Sequence, residues 1–121
     1  MSPTDAMQRI DTLLSHIWMV RTFIKHSEEA EDDEDLAEVH RELYDYMLAL
    51  GAPWKAGDAA AYLKLARKKF SKLQRITAQY HELQPEVSTH MNFQMSARSL
   101  EAAVREIESV LQRVESPESR D

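Results

Sequence analysis

The sequence contains no cysteine and only two glycines among its 121 residues. Without cysteine it has no disulfide, no thiolate nucleophile and no thiolate ligand for a metal ion. With so little glycine it also lacks the glycine-rich loops that hold phosphates and the Gly-x-Ser-x-Gly turn that presents a nucleophilic serine. We therefore expect a protein that has no catalytic activity and binds no cofactor.

Long hydrophobic runs are also missing from the sequence. No stretch approaches the roughly 20 consecutive apolar residues that a membrane-spanning helix requires. The first residues, Met1 to Asp5, lack the basic segment and the apolar core of a secretory signal. We expect a cytoplasmic protein that does not enter a membrane. The net charge of -6 also makes nucleic acid an unfavourable partner, because phosphates attract a positive surface.

The feature that the sequence does have is helical periodicity. The prolines and glycines fall where this periodicity breaks: Pro3 follows a capping Ser2, Gly51 and Pro53 stand together, and Pro85 precedes the last apolar segment. These residues predict where helices begin and end. The predicted helices span about 3–28, 33–50, 58–83 and 86–115.

Apolar residues recur every three or four positions in these segments and define the faces that would meet in a core. For the first and last helices the faces are Ile10, Leu13, Leu14, Ile17, Val20 and Ile24, and Phe93, Ala97, Leu100, Val104, Ile107, Leu111 and Val114. Short connections make consecutive helices antiparallel. We expect an all-α protein with one domain, residues 1–115, that forms an antiparallel up-down-up-down four-helix bundle. Residues 116–121 have nothing to bury, and we expect them to be disordered.

Histidines raise the possibility of a metal or ligand site inside the bundle. None of the five histidines follows a glutamate by three positions, so the Glu-x-x-His pairs of di-iron bundles are absent. His40 falls within an apolar arc, and His16 and His90 lie at the edges of theirs. A single histidine on an apolar face is more often a neutral, hydrogen-bonded core residue. A site built from these three side chains, with Glu86 or Glu101 nearby, is the alternative interpretation.

A basic stripe runs along the third predicted helix. Its residues fall within an arc of about 140° opposite the apolar face, and no acidic residue occurs between Asp58 and Glu82. The stripe consists of Lys64, Arg67, Lys68, Lys72 and Arg75. It could bind an anionic ligand, RNA or an acidic partner, but it also fits an ordinary solvated face, and it has no aromatic residues among the cations on which bases could stack.

The first and last helices have more apolar surface than one core requires. Trp18, Met19 and Phe23 lie outside the main arc of the first helix, and Met91 and Met95 lie more than a quarter turn from the Phe93 face. A helix of a monomeric bundle would present a polar outer face there. We therefore expect a non-catalytic interaction or oligomerisation module, which uses this surface to form a homodimer or to bind a protein partner.

Overall fold

The computed structural model describes residues 1–114, and all regular secondary structure in that part of the chain is helical. The predicted all-α class is confirmed, but the structure has six helices where four were predicted. The helices are α1 (Pro3–Lys25), α2 (Glu29–Asp32), α3 (Glu34–Ala56), α4 (Ala59–Lys68), α5 (Phe70–Val87) and α6 (Met91–Arg113). The predicted disordered tail, 116–121, lies outside the described residues.

Helix α1 begins as the sequence predicts. The Ser2 hydroxyl accepts a hydrogen bond from the Asp5 N–H at 3.1 Å, Pro3 occupies the first turn, and the Asp5 carboxylate lies near the positive end of the helix. The helix ends at Lys25, three residues before the predicted end. The acidic segment that follows forms the single turn α2, after which the Asp33 carboxylate caps α3 by accepting from the Leu36 N–H at 3.0 Å.

Helix α3 continues past its predicted end at residue 50. Gly51 and Pro53 lie inside the helix, which extends to Ala56, and Gly57 ends it with a φ of 65°. The prediction was wrong because a proline in a last turn removes only one helical hydrogen bond. The Pro53 carbonyl still accepts from the Asp58 N–H at 3.0 Å, which closes the end of the helix.

The third predicted helix is interrupted at Lys69. Backbone hydrogen bonds continue across the interruption, from Lys69 N–H to the Leu65 carbonyl at 3.1 Å and from Leu73 N–H to the Lys69 carbonyl at 3.3 Å. The break is therefore a local distortion between α4 and α5. Pro85 lies inside the last turns of α5 instead of starting the next helix, and α6 begins only at Met91, with His90 as its cap.

The long helices contact one another in pairs. Helix α1 packs against α3 and α6, α5 packs against the same two helices, and α4 contacts α3 and α1. The apolar faces predicted for the first and last helices supply much of the core. All of their residues are buried except Leu111, which is partly buried.

Membrane insertion can be assessed for the helices of residues 1–114. None of them combines the length and the apolar character that crossing a membrane would require.

The two glycines offer a matched test of where α3 ends. A Cβ at either position would have no atom within 4 Å, so substitution changes only the backbone preference. Gly51 is helical, and Gly51→Ala should raise the free energy of unfolding by about 0.5–1 kcal/mol. Gly57 is left-handed, and Gly57→Ala should lower it by about 1–2 kcal/mol. Urea unfolding of both variants measures this, and destabilisation by Gly51→Ala would contradict a helix that continues through residue 51.

Candidate functional site

The basic stripe lies on the exposed surface of α4 and α5, and all five of its side chains are exposed. Two of them contact neighbouring helices. Arg67 Nη2 donates to the Leu111 carbonyl of α6 at 3.1 Å, and Lys72 Nζ lies 2.9 Å from Glu42 Oε2 of α3. The other three, Lys64, Lys68 and Arg75, form no ion pair with any residue in 1–114. Their charges are therefore available to an anionic ligand.

Helix α4, which carries the first half of the stripe, is attached to the core through two tyrosine hydroxyls. Tyr46 of α3 donates to the Ala66 carbonyl at 3.0 Å, and Tyr62 of α4 donates to Asp11 Oδ1 of α1 at 3.2 Å. Burial raises the pKa of both tyrosines above the ordinary value for a phenol, so both hydroxyls stay protonated. Burial also raises the pKa of Asp11, and the hydrogen bond from Tyr62 opposes that shift.

Grooves border the stripe on both sides. Toward α6, the groove next to Arg67 has a volume of about 250 Å³. A separate groove of about 350 Å³ lies between α1 and α6 and does not touch the stripe. The lining of the groove next to Arg67 includes Phe70, Glu108 and Leu111 as well as Arg67. Toward α3, a smaller depression of about 50 Å³ lies beside Lys69 and Lys72. The stripe thus combines exposed cations with an adjacent apolar and polar groove.

The three histidines of the alternative interpretation do not form one cluster. His16 is exposed, with Nδ1 3.5 Å from Ser99 Oγ. The Nδ1 atom of His90 accepts from the Asn92 N–H at 3.0 Å and so caps α6. No group of three His, Cys, Asp or Glu side chains within residues 1–114 could hold a metal ion. The helical wheel that suggested this site fixed neither the residue at which α6 begins nor the position of each histidine along the bundle axis.

His40 is partly buried in α3, close to α1. Burial lowers the pKa of His40, and the positive charges of Arg41, Arg21 and Lys25 lower it further. The charged groups that lower the pKa of His40 are all cations, although the acidic segment of residues 28–35 connects these two helices.

The five side chains of the expected interface divide between two sides of α1. Met19, Met91 and Met95 are exposed, with Met19 the most exposed at 69%. Phe23 is partly buried and packs edge-on against Phe93 of α6, with ring centroids 4.9 Å apart. Trp18 instead faces α3, where its ring centroid is 6.4 Å from that of Tyr44.

One cluster was missed by the sequence analysis. The guanidinium carbon of Arg21 lies 4.9 Å from the Trp18 ring centroid and 4.6 Å from the Tyr44 ring centroid. Both distances are within the range of cation–π contacts. The i, i+3 spacing of Trp18 and Arg21 indicates one of these contacts, but nothing in the sequence pairs either residue with Tyr44.

Comparison with known proteins gave one match. A model of the family described as cobalamin adenosyltransferase matches residues 3–117. No curated protein and no solved structure matches. The family match contradicts the expectation of a non-catalytic interaction module of unknown function, because it points to an enzyme family. That expectation was based on missing nucleophiles and phosphate loops, which only some classes of enzyme require.

Proposed function

Because the chain belongs to the cobalamin adenosyltransferase family, we propose that it transfers an adenosyl group to the cobalt of a cobalamin. The observation that carries this proposal is the family match, which extends over residues 3–117 and so includes every helix. The exposed cations of the basic stripe support it, since they supply the charge that an anionic adenosyl donor needs.

The reaction itself explains why no catalytic nucleophile is required. A bond forms between cobalt and C5′ of the adenosine, and the bond from C5′ to its leaving group breaks. The reduced cobalt supplies both electrons of the new bond, and the leaving group departs with the electrons of the old one. A nucleoside triphosphate is a suitable donor, because its polyphosphate leaves as a stable anion. Cations placed where negative charge increases would stabilise that departure.

In this proposal the polyphosphate binds along the stripe. Lys64, Lys68 and Arg75 form no ion pair within residues 1–114, so binding the phosphates breaks no existing one. Arg67 and Lys72, each attached to a neighbouring helix, border the phosphate path. The groove beside Arg67, which includes the half-buried ring of Phe70, would receive part of the nucleoside.

We propose further that the long helices form the antiparallel four-helix bundle expected from the sequence, with α4 and α5 acting as one interrupted helix. The packing of α1 and of α5 against both α3 and α6 supports this arrangement. The single domain over residues 1–115 and the cytoplasmic location stay predictions.

Self-association is the second part of the proposal. Met19 of α1 and Met91 and Met95 of α6 expose apolar surface on helices that contact each other. We refer to these three residues as the methionine face. Burial of this face against a second copy would remove it from water, and a homodimer is the simplest such assembly.

Removing charge from the stripe should weaken donor binding. In Lys68→Gln/Arg75→Gln, the KM for the nucleoside triphosphate in cobalamin adenosylation should rise by about tenfold, equivalent to about 1.4 kcal/mol, while the KM for reduced cobalamin changes little. Steady-state rates at varied donor concentration measure this effect.

The matched control is Lys55→Gln/Arg98→Gln, which removes the same two kinds of charge from exposed positions on α3 and α6. Its donor KM should stay within about twofold of the wild type, because exposed charges outside the stripe are screened by salt and contribute little. Equal effects of the two double substitutions would show that net charge alone matters and would overturn the assignment of the stripe.

Placing a charge on the methionine face should weaken self-association. Met95→Glu should shift the mass observed by sedimentation equilibrium at micromolar concentration toward that of a single chain, because a carboxylate would have to be desolvated in the interface. Leu48→Glu, at an exposed apolar position on α3, should leave the mass unchanged. A wild-type protein that is monomeric throughout would contradict the proposal.

A further inference from the structure

The groove beside Arg67 has a carboxylate in its wall, although the ligand proposed for it is an anion. Its lining combines a cation, a carboxylate, an amide and two apolar side chains, from Arg67, Glu108, Gln112, Phe70 and Leu111. The three α6 residues among them are three and four positions apart and so share one face of that helix. Arg67 and Phe70 belong to α4 and α5. A cation and a carboxylate thus line the same groove from different helices.

A hydrogen bond from a neighbouring helix orients the Glu108 side chain. Its Oε2 atom accepts from Gln74 Nε2 of α5 at 2.6 Å, and the residue is partly buried. Glu108 forms no ion pair within residues 1–114. A carboxylate has about four lone-pair sites, and Gln74 uses one of them. The remaining sites can accept hydrogen bonds from a ligand in the groove.

The charges around the groove orient a nucleotide. A polyphosphate is repelled by Glu108 and attracted by the cations of the stripe, so the phosphates lie on the stripe side of Arg67. The ribose is joined to the phosphates through C5′ and therefore enters the groove next to Arg67. It presents two neighbouring hydroxyls, which can donate to a carboxylate. Acidic side chains bind ribose hydroxyls in the same way in dinucleotide-binding folds.

We propose that Glu108 accepts hydrogen bonds from the 2′- and 3′-hydroxyls of the donor ribose and so selects nucleoside triphosphates with a complete ribose. This inference rests on the proposed function, which identifies the ligand as a nucleoside triphosphate. Gln74 is a positioning residue that holds the carboxylate toward the sugar. A site built to hydrogen-bond a substrate hydroxyl rejects an analogue that lacks it, because the acceptor then loses its partner.

Binding of two nucleotides that differ only in these hydroxyls tests the proposal. ATP and 2′,3′-dideoxyATP share the base, the phosphates and C5′, and isothermal titration calorimetry without cobalamin measures the dissociation constant of each. Wild-type protein should bind dideoxyATP about tenfold more weakly than ATP, equivalent to about 1.4 kcal/mol. In Glu108→Gln this ratio should fall to about threefold, because a neutral acceptor makes weaker hydrogen bonds than a charged one. Equal binding of both nucleotides by the wild type, or an unchanged ratio in Glu108→Gln, would overturn the proposal.

The matched control is Glu101→Gln. Glu101 is also a partly buried glutamate of α6 that contacts α5, where its Oε1 atom lies 2.7 Å from His81 Nδ1. It does not line the groove beside Arg67, so the ratio in this variant should match the wild-type ratio. A loss of discrimination as large as that in Glu108→Gln would show that any glutamate of this helix has the effect, and would reject the ribose contact.

Two further measurements define what Glu108 contacts. Gln74→Leu should give a ratio between those of the wild type and Glu108→Gln, since the carboxylate remains but loses the donor that orients it. This variant also tests the proposal if circular dichroism shows that Glu108→Gln is not folded. Inosine triphosphate changes the base and keeps the ribose. If Glu108→Gln alters the preference for ATP over inosine triphosphate instead of that over dideoxyATP, the carboxylate contacts the base and the proposal is wrong.

The same variants separate this inference from the proposed function. A protein that forms the cobalt–carbon bond but binds both nucleotides equally would reject the role of Glu108 and leave adenosyl transfer intact. A protein that prefers ATP through Glu108 but forms no cobalt–carbon bond would reject adenosyl transfer and retain the ribonucleotide site. Absence of ATP binding at millimolar concentration would reject the ribose contact.

Discussion

The position of α4 depends on two buried tyrosine hydroxyls, each of which has one acceptor. Tyr46 reaches the backbone of Ala66 from α3, and Tyr62 reaches the Asp11 carboxylate on α1. Helix α4 has only ten residues and is followed by the distortion at Lys69, so its own helical hydrogen bonds do little to fix its direction. The contact of Tyr46 with Ala66 is buried, and leaving a buried group there without its partner would cost about 1–3 kcal/mol. These two contacts help to fix the position of α4, and so of Lys64, Arg67 and Lys68, relative to the cations of α5.

The charge distribution allows an acidic protein to attract an anion locally. The acidic residues around α2 and the cations of the stripe lie on different helices. At physiological ionic strength, charges more than about 8 Å apart in solvent are largely screened from each other. The net charge of -6 therefore argues against wide nonspecific binding to polyanions, but it does not prevent three cations that form no ion pair within residues 1–114 from holding a polyphosphate.

The sequence predicted those features that depend on periodicity. The helical class, the capping of α1 by Ser2 and the buried faces of the first and last helices all follow from the spacing of apolar and capping residues. Features that depend on small differences in free energy between continuing and ending a helix were missed. Gly51 and Pro53 are a strong stop signal, yet the helix continues because only one hydrogen bond is lost near its end. The distortion at Lys69 has no local signal, since neither glycine nor proline is there.

The site was predicted only in part, for a different reason. The five cations of the stripe were recognised by their spacing, but their availability could be judged only from the contacts of Arg67 and Lys72. The contacts among Trp18, Arg21 and Tyr44 could not be predicted from the sequence, because Tyr44 comes from another helix. The expectation of a protein without catalysis assumed that an enzyme must supply its own nucleophile. In the proposed adenosyl transfer the cobalt of the substrate would supply it, so the protein would need only to bind, orient and stabilise charge.

The central claim is that this chain forms a bond between cobalt and the adenosyl carbon. The most direct measurement is ¹³C NMR of a reaction that contains the protein, reduced cobalamin and a nucleoside triphosphate labelled at C5′. The account predicts that the label moves from an oxygen-bonded to a cobalt-bound carbon, that light abolishes the signal of the cobalt-bound carbon, and that no such signal forms without the protein. A label that stays on the donor or appears only on its hydrolysis products would contradict it.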